Sequence, residues 1–271
     1  MGACDNLDAD DRDGARVTPL EFALLVLAGI GAGLTGSIAG LASLISYPSL
    51  LAVGIPPVTA NVTNTVALVL NSVGSVSASR PELQRQGPRL RRLAVGAVLG
   101  GAAGMALLLL TPSDAFERIV PWLIGGASIL LLVQKPPGEI AADAVTHPHP
   151  KGDPWWLPFG TFAVAIYGGY FGAAAGVMML AMYLLATGEP LPVSNALKNV
   201  VLGAANATAA IGYVVLTSIA WSAAVPLAIG LFLGGRLGPR VVRRAPQKLL
   251  RRIIAVAGIA LAVKLGIDSY A

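Results

Sequence analysis

The sequence predicts an all-α polytopic membrane protein, built from two inverted repeats with about eight hydrophobic segments at about 20 residues per span. The first segment of each repeat is long and broken by glycines. Three observations lead there. The chain has 271 residues, 55% hydrophobic and only 12% charged, against about 25% charged in a soluble domain. Too few charges remain to wet a soluble surface, and disorder would need the opposite balance. Its 32 glycines and 19 prolines follow no collagen period, and both types are frequent in membrane helices. Finally, the chain echoes itself. One constant shift in numbering carries Gly54 onto Gly188, Pro56 onto Pro190, Asn61 onto Asn195, Thr65 onto Asn199 and Ser72 onto Asn206.

In chain order, an acidic tail covers 1–19, repeat 1 covers 20–134, an inter-repeat loop covers 135–155 and repeat 2 covers 156–268. Residues 1–21 hold six acids and two arginines, so the positive n-region of a signal peptide is missing. Apolar runs fall at 20–53, 58–79, 93–110, 119–134, 156–187, 193–217, 219–235 and 249–267. The first and fifth exceed a single crossing and are interrupted, by Gly29, Gly31, Gly33, Gly36 and Gly40, and by Gly168, Gly169, Gly172 and Gly176. Each ends in a Gly-Pro turn, Gly54-Ile55-Pro56-Pro57 or Gly188-Glu189-Pro190. Both therefore read as re-entrant hairpins or as two short crossings. Gly/Pro-interrupted segments at matching places in two halves point to a secondary transporter.

Charge sets the orientation. Arg80, Arg85, Arg89, Arg91 and Arg92 follow the second segment, against Glu82 alone. Arg236, Arg240, Arg243, Arg244, Lys248, Arg251 and Arg252 follow the seventh with no acid. Basic loops stay inside. Parallel halves would carry the basic loop at the same point of each repeat; inverted halves displace it by one segment, as here. This predicts a multi-pass protein of the inner (cytoplasmic) cell membrane with its N-terminus outside.

The chemistry gathers on the second and sixth segments. Asn61, Thr65, Ser72, Ser75 and Ser79 share one helix face, and Asn195, Asn199 and Asn206 share the corresponding face. Such side chains also serve as hydrogen-bonding glue between membrane helices. Lys198 is the one cation inside a polar stretch of a span. Inserting a central lysine costs roughly 2.5–3.5 kcal/mol, so it either snorkels to the interface or faces a cavity and attracts an anion. The second and sixth segments start at proline turns and present free N–H groups, which suit anions. Ser37 and Ser43 beside Gly40 are further candidates. The expected substrate-binding set is Asn61, Thr65, Asn195, Lys198, Asn199, Ser37 and Ser43.

No Asp or Glu lies centrally in a span, so no proton or sodium carboxylate is visible. Walker A, HExxH and GxSxG motifs are missing. No enzyme activity, cofactor or metal is expected. His147 and His149 lack a third ligand, and Cys4 has no partner cysteine. The net charge of +5 is clustered between apolar spans, which argues against nucleic acid.

These motifs resemble those of the sulfite exporter TauE/SafE permeases over roughly residues 25–268. The likeness rests on Tyr47-Pro48-Ser49-Leu50-Leu51, the Gly54–Thr63 stretch, Tyr170-Phe171-Gly172 running to Gly176-Val177, and Asn195-Ala196-Leu197-Lys198-Asn199. Leu41-Ala42-Ser43 and Val177-Met178-Met179 depart from the commoner glycine triplet. The resemblance implies two related halves that move sulfite, organosulfonates or similar small anions. The expectation is an anion exporter working by alternating access, with a small anion and the lipid bilayer as partners and a homo-oligomer compatible with that role. The alternative is an accessory or structural membrane subunit whose polar stripes only glue helices.

Overall fold

A computed structural model describes residues 17–145, 152–241 and 247–270, without the side chains at 143–145, 239–241, 247–251 and 268. Cys4, His147 and His149 lie outside the described residues. Within the described residues the regular elements are all helices. Apart from a short 3-10 helix at Pro81–Leu83, they are α1 (Pro19–Ala39), α2 (Ser43–Ala52), α3 (Pro57–Ala78), α4 (Gly87–Leu110), α5 (Ser113–Val133), α6 (Pro137–Val145), α7 (Leu157–Tyr170), α8 (Ala175–Thr187), α9 (Leu191–Leu216), α10 (Trp221–Val241) and α11 (Gln247–Tyr270).

Local chemistry fixes the boundaries. Thr18 and Glu21 form a reciprocal capping box at the start of α1. Prolines occupy the first turns of α3 and α9, where the missing N–H costs nothing. Gly40 ends α1 with a φ of 77°, and Gly172 follows α7 with a φ of 78°, a region open to glycine at little cost. The two long interrupted segments are thus α1–α2 and α7–α8, each a full or half-length helix, a short break and a returning helix. Helix α4 starts at Gly87, earlier than its apolar run, because arginine is a good helix former and Arg89, Arg91 and Arg92 extend the helix outward. Helix α6 falls in the segment expected to be a loop.

Five of the described helices are long and apolar enough to cross a membrane: Pro19–Ala39, Gly87–Leu110, Ser113–Val133, Leu191–Leu216 and the Trp221–Gly238 part of α10. Helix α3 has 22 residues, but Asn61, Asn64, Asn71 and its Ser/Thr positions dilute its hydropathy.

Glycine sets the closest packing. A Cβ on Gly29 would stand 2.5 Å from the Leu227 carbonyl oxygen, and one on Gly33 2.5 Å from that of Leu231. Gly96 and Gly100 meet the Pro158 and Phe162 carbonyls in the same way, at 2.7 and 2.5 Å. Both series of contacts rise together along the chain, so α1 runs parallel to α10 and α4 parallel to α7. Side-chain-free stripes of this kind let membrane helix backbones touch. The glycines recur in register: the shift that carries Gly54 onto Gly188 also carries Gly96, Gly100, Gly101 and Gly104 of α4 onto Gly230, Gly234, Gly235 and Gly238 of α10. Gly101 abuts Ala205 of α9, and Gly235 abuts Asn71 of α3, so the contact itself repeats under the same shift. Helices α3 and α9 cross at the centre, where Gly203 faces Ser72.

One end of the molecule is tied by charge. Arg89 at the start of α4 makes two 2.7 Å bonds to Asp153, which precedes α7, and a 2.6 Å bond to Glu189, which follows α8. Both ends of the α7–α8 hairpin therefore lie beside the α3–α4 connection. The backbone N–H of Ala220 donates to Thr63 Oγ1, and Gly74 packs on Phe232 further along. Helix α10 thus runs parallel to α3 and finishes at this same end. At the opposite end, Ser269 and Tyr270 of α11 donate to the carbonyls of Glu117 and Arg118 in α5.

Candidate functional site

The two helix breaks meet back to back. A Cβ on Gly176 would stand 2.5 Å from the Gly40 Cα, so any side chain at either position would force the hairpins apart. An aromatic group of Tyr47, Phe116, Tyr170 and Phe171 seats the second break, with ring centres 5.3 to 6.1 Å apart.

Helices α3 and α9 grip the breaks with a matched pair of asparagines. Asn195 Nδ2 donates to the Ser37 carbonyl at 2.7 Å, at the end of α1. Asn61 Nδ2 donates to the Tyr170 carbonyl at 2.8 Å, at the end of α7. Each amide thereby satisfies an acceptor that the helix end leaves open. Both asparagines are buried, and the Oδ1 atom of each has no partner among the described residues.

Lys198 is fully buried (0% exposed), so it does not snorkel. Its ammonium donates to the Gly36 carbonyl at 2.9 Å and, more weakly, to Ser37 at 3.5 Å. The last turn of a helix carries partial negative charge, and a cation there is favourable. The immediate partner of Lys198 is thus the α1 backbone. Asn199 Nδ2 adds a longer contact to Ser37, 3.4 Å.

Beside the breaks lies a small polar cavity of about 30 Å³, where α3, α9 and the start of α2 converge. Its polar wall comes from Ser43, Asn71, Ser72, Asn199 and Asn206, with Gly36 and Gly172 at the backbone. Helix α2 begins here without a side-chain cap, and the Ile45 and Ser46 N–H groups both donate to the Ala42 carbonyl. Leu68 and Leu202, and Ser72 and Asn206, all line it, and each pair is related by the shift between repeats.

Of the seven expected site residues, Ser43 and Asn199 line this cavity. Lys198, Asn195 and Asn61 stand one layer behind, bonded to the helix ends. Thr65 Oγ1 donates to the Asn61 carbonyl at 3.0 Å within its own helix. The Ser37 hydroxyl donates to Leu34 at 3.1 Å, so Ser37 serves through its carbonyl. Asn71, Ser72 and Asn206 line the cavity but lie outside the expected set. Ser72 and Asn206 were legible through the match between repeats; Asn71 falls one position off that stripe.

Hydrophobic spans, two interrupted hairpins and a polar cavity at their meeting point define a multi-pass α-helical membrane transporter. The chain matches the family described as sulfite exporter TauE/SafE over residues 25–265. It belongs to that family. It is 27% identical over 260 residues to the probable membrane transporter protein YfcA of Escherichia coli strain K12, covering 94% of this chain and 93% of that one. It is 25% identical over 253 residues to a probable membrane transporter protein of Haemophilus influenzae, covering 91% and 95%. No solved structure matches.

Proposed function

We propose that this chain exports a small sulfur-containing anion, such as sulfite or an organosulfonate, by alternating access between two inverted repeats. The observation that carries the reading is the polar cavity at the touching helix breaks, walled by amides, hydroxyls and the uncapped start of α2. Neutral donors and helix starts stabilise an anion without a metal. Lys198 neutralises the end of α1 beside the same cavity and so removes a repulsive charge from the anion's neighbourhood.

The packing supports inverted repeats. Helix α1 pairs with α10 as α7 pairs with α4, and α3 meets α10 as α9 meets α4. The Arg-rich connection after α3 and the C-terminal end of α10 lie at one end of the molecule. By the positive-inside rule that end is cytoplasmic, which puts the start of α1 outside. The Arg89 bridge to Asp153 and Glu189 closes the cytoplasmic side. A cavity of about 30 Å³ holds roughly one water and is too small for sulfite. This conformation is therefore closed around its site, and the hairpin tips must part for the anion to enter.

A membrane potential that is negative inside drives an anion outward by about 2.3 kcal/mol per charge per 100 mV. Proteoliposomes at set potentials, loaded with sulfite and compared with sulfate and chloride, test the proposal. Potential-dependent efflux that prefers sulfite or an organosulfonate is expected. A well-inserted protein that moves none of them overturns it.

A further inference from the structure

We infer, resting on the proposed anion site, that this site takes singly charged anions and excludes doubly charged ones, so that sulfite crosses as hydrogensulfite. The charges that converge on the helix breaks add to one. Helices α1 and α7 end there and α2 and α8 start there, and Gly40 of the first break touches Gly176 of the second. Each end carries roughly half a negative charge and each start roughly half a positive one. The four cancel in sum, and Lys198 leaves a net charge of one. It is fully buried, and among the described side chains no other Lys or Arg and no Asp or Glu is buried. Its ammonium holds the Gly36 carbonyl at 2.9 Å, and Gly36 lines the polar cavity.

The side chains that line the cavity are neutral. Ser43, Asn71, Ser72, Asn199 and Asn206 supply only amides and hydroxyls. The Asn71 amide stands beside Gly36, where a Cβ would lie 3.0 Å from its Nδ2. The phenols at the second break are donors and hence uncharged: Tyr167 donates to the Ala173 carbonyl at 2.7 Å, and Tyr213 to that of Gly169 at 2.6 Å. Arg89, Asp153 and Glu189 meet at the far ends of α7 and α8, helices of 14 and 13 residues that span about 20 Å each. One anion charge set against Lys198 leaves the membrane interior neutral. A dianion brings a second charge with no counter-charge beside it, and neutral donors offset only part of the water it gives up.

Ligands alike in shape and unlike in charge test this. Methanesulfonate and thiosulfate both carry oxygens on a central sulfur, and differ by a methyl group against a terminal sulfur that adds a second charge. Their binding to the purified protein is measured by titration calorimetry at constant ionic strength, with sulfate as a second dianion. Methanesulfonate should bind at least about tenfold more tightly than either dianion. Sulfite is titrated on both sides of its second ionisation. Above it, the apparent dissociation constant for total sulfite should rise about tenfold per pH unit relative to that of methanesulfonate, as the competent monoanion is depleted. Methanesulfonate keeps its charge and so corrects for any titration of the protein. A smaller preference for methanesulfonate over the dianions overturns the inference and leaves an anion exporter standing. A sulfite affinity that keeps pace with that of methanesulfonate across the pH range does the same. Binding of none of these ligands overturns the inference together with the proposed function.

Discussion

Replacing Lys198 by Met removes the ammonium and keeps most of the stem, which separates charge from packing. The Gly36 carbonyl loses its 2.9 Å donor but keeps the Gly40 N–H at 2.8 Å. Ser37 keeps the Asn195 amide at 2.7 Å. No acceptor is orphaned. The lost charge-assisted bond costs about 1.5–3 kcal/mol, and relief from holding an ammonium in the membrane returns roughly 2.5–3.5 kcal/mol. The net effect on stability should run from a loss of about 0.5 kcal/mol to a gain of about 2 kcal/mol. Anion affinity should fall much further. An anion touching Gly36 would lie roughly 6 Å from the ammonium, which at an effective dielectric near 20 is worth about 3 kcal/mol, on the order of a hundredfold. Sulfite efflux from proteoliposomes reads the KM, and a thermal melt reads the stability. Lys198→Arg should retain most of the affinity. A Lys198→Met protein that melts no lower than the parent and keeps a KM within about threefold of it would refute this role for the charge.

Two further outcomes follow from packing and from the ion pairs. Gly100→Val drives a side chain into the Phe162 carbonyl, 2.5 Å from the added Cβ, and into Ala165 at 2.7 Å; it should lose about 1–3 kcal/mol or more by overpacking and elute as aggregate. Gly126→Ala meets nothing within 4 Å and should match or exceed the parent by up to about 1 kcal/mol through helix propensity, so equal behaviour of the two variants would contradict the packing. Arg89→Ala frees Asp153 and Glu189, whose side chains are only 13% and 25% exposed, and should loosen that end of the molecule, the cytoplasmic one on the proposed orientation. A Ser43→Cys reporter in that background should react faster with a thiol reagent from the cytoplasmic side, and an unchanged rate counts against Arg89 as a closure.

The breaks were legible in the sequence because glycine and proline are needed there: Gly40 and Gly172 sit at positive φ, and Gly40 touches Gly176. So was the match between halves, and the α4 and α10 glycines would have extended it. What the side chains attach to was not legible. Asn61, Asn195 and Lys198 bind backbone carbonyls of a helix that comes from the other half of the chain. A carbonyl has no letter in the sequence, so a stripe of amides reads equally as glue or as a ligand shell. The direct wall of the cavity and the layer behind it differ by which carbonyl each amide reaches.

The positions where the halves agree and differ follow from what each must touch. Gly96, Gly100, Gly101 and Gly104 match Gly230, Gly234, Gly235 and Gly238 because a neighbouring helix stands so close in both halves that any Cβ collides. At the cavity the paired positions diverge: Asn64 stands opposite Lys198, Thr65 opposite Asn199 and Ser72 opposite Asn206. On the proposed reading that divergence is required. A pyramidal anion such as sulfite has no twofold axis, so two identical walls related by one cannot both fit it. A duplicated frame that binds such an anion near its axis must keep its contacts between helices alike and make its contacts to the ligand different. Placing the lysine in one half only satisfies that need.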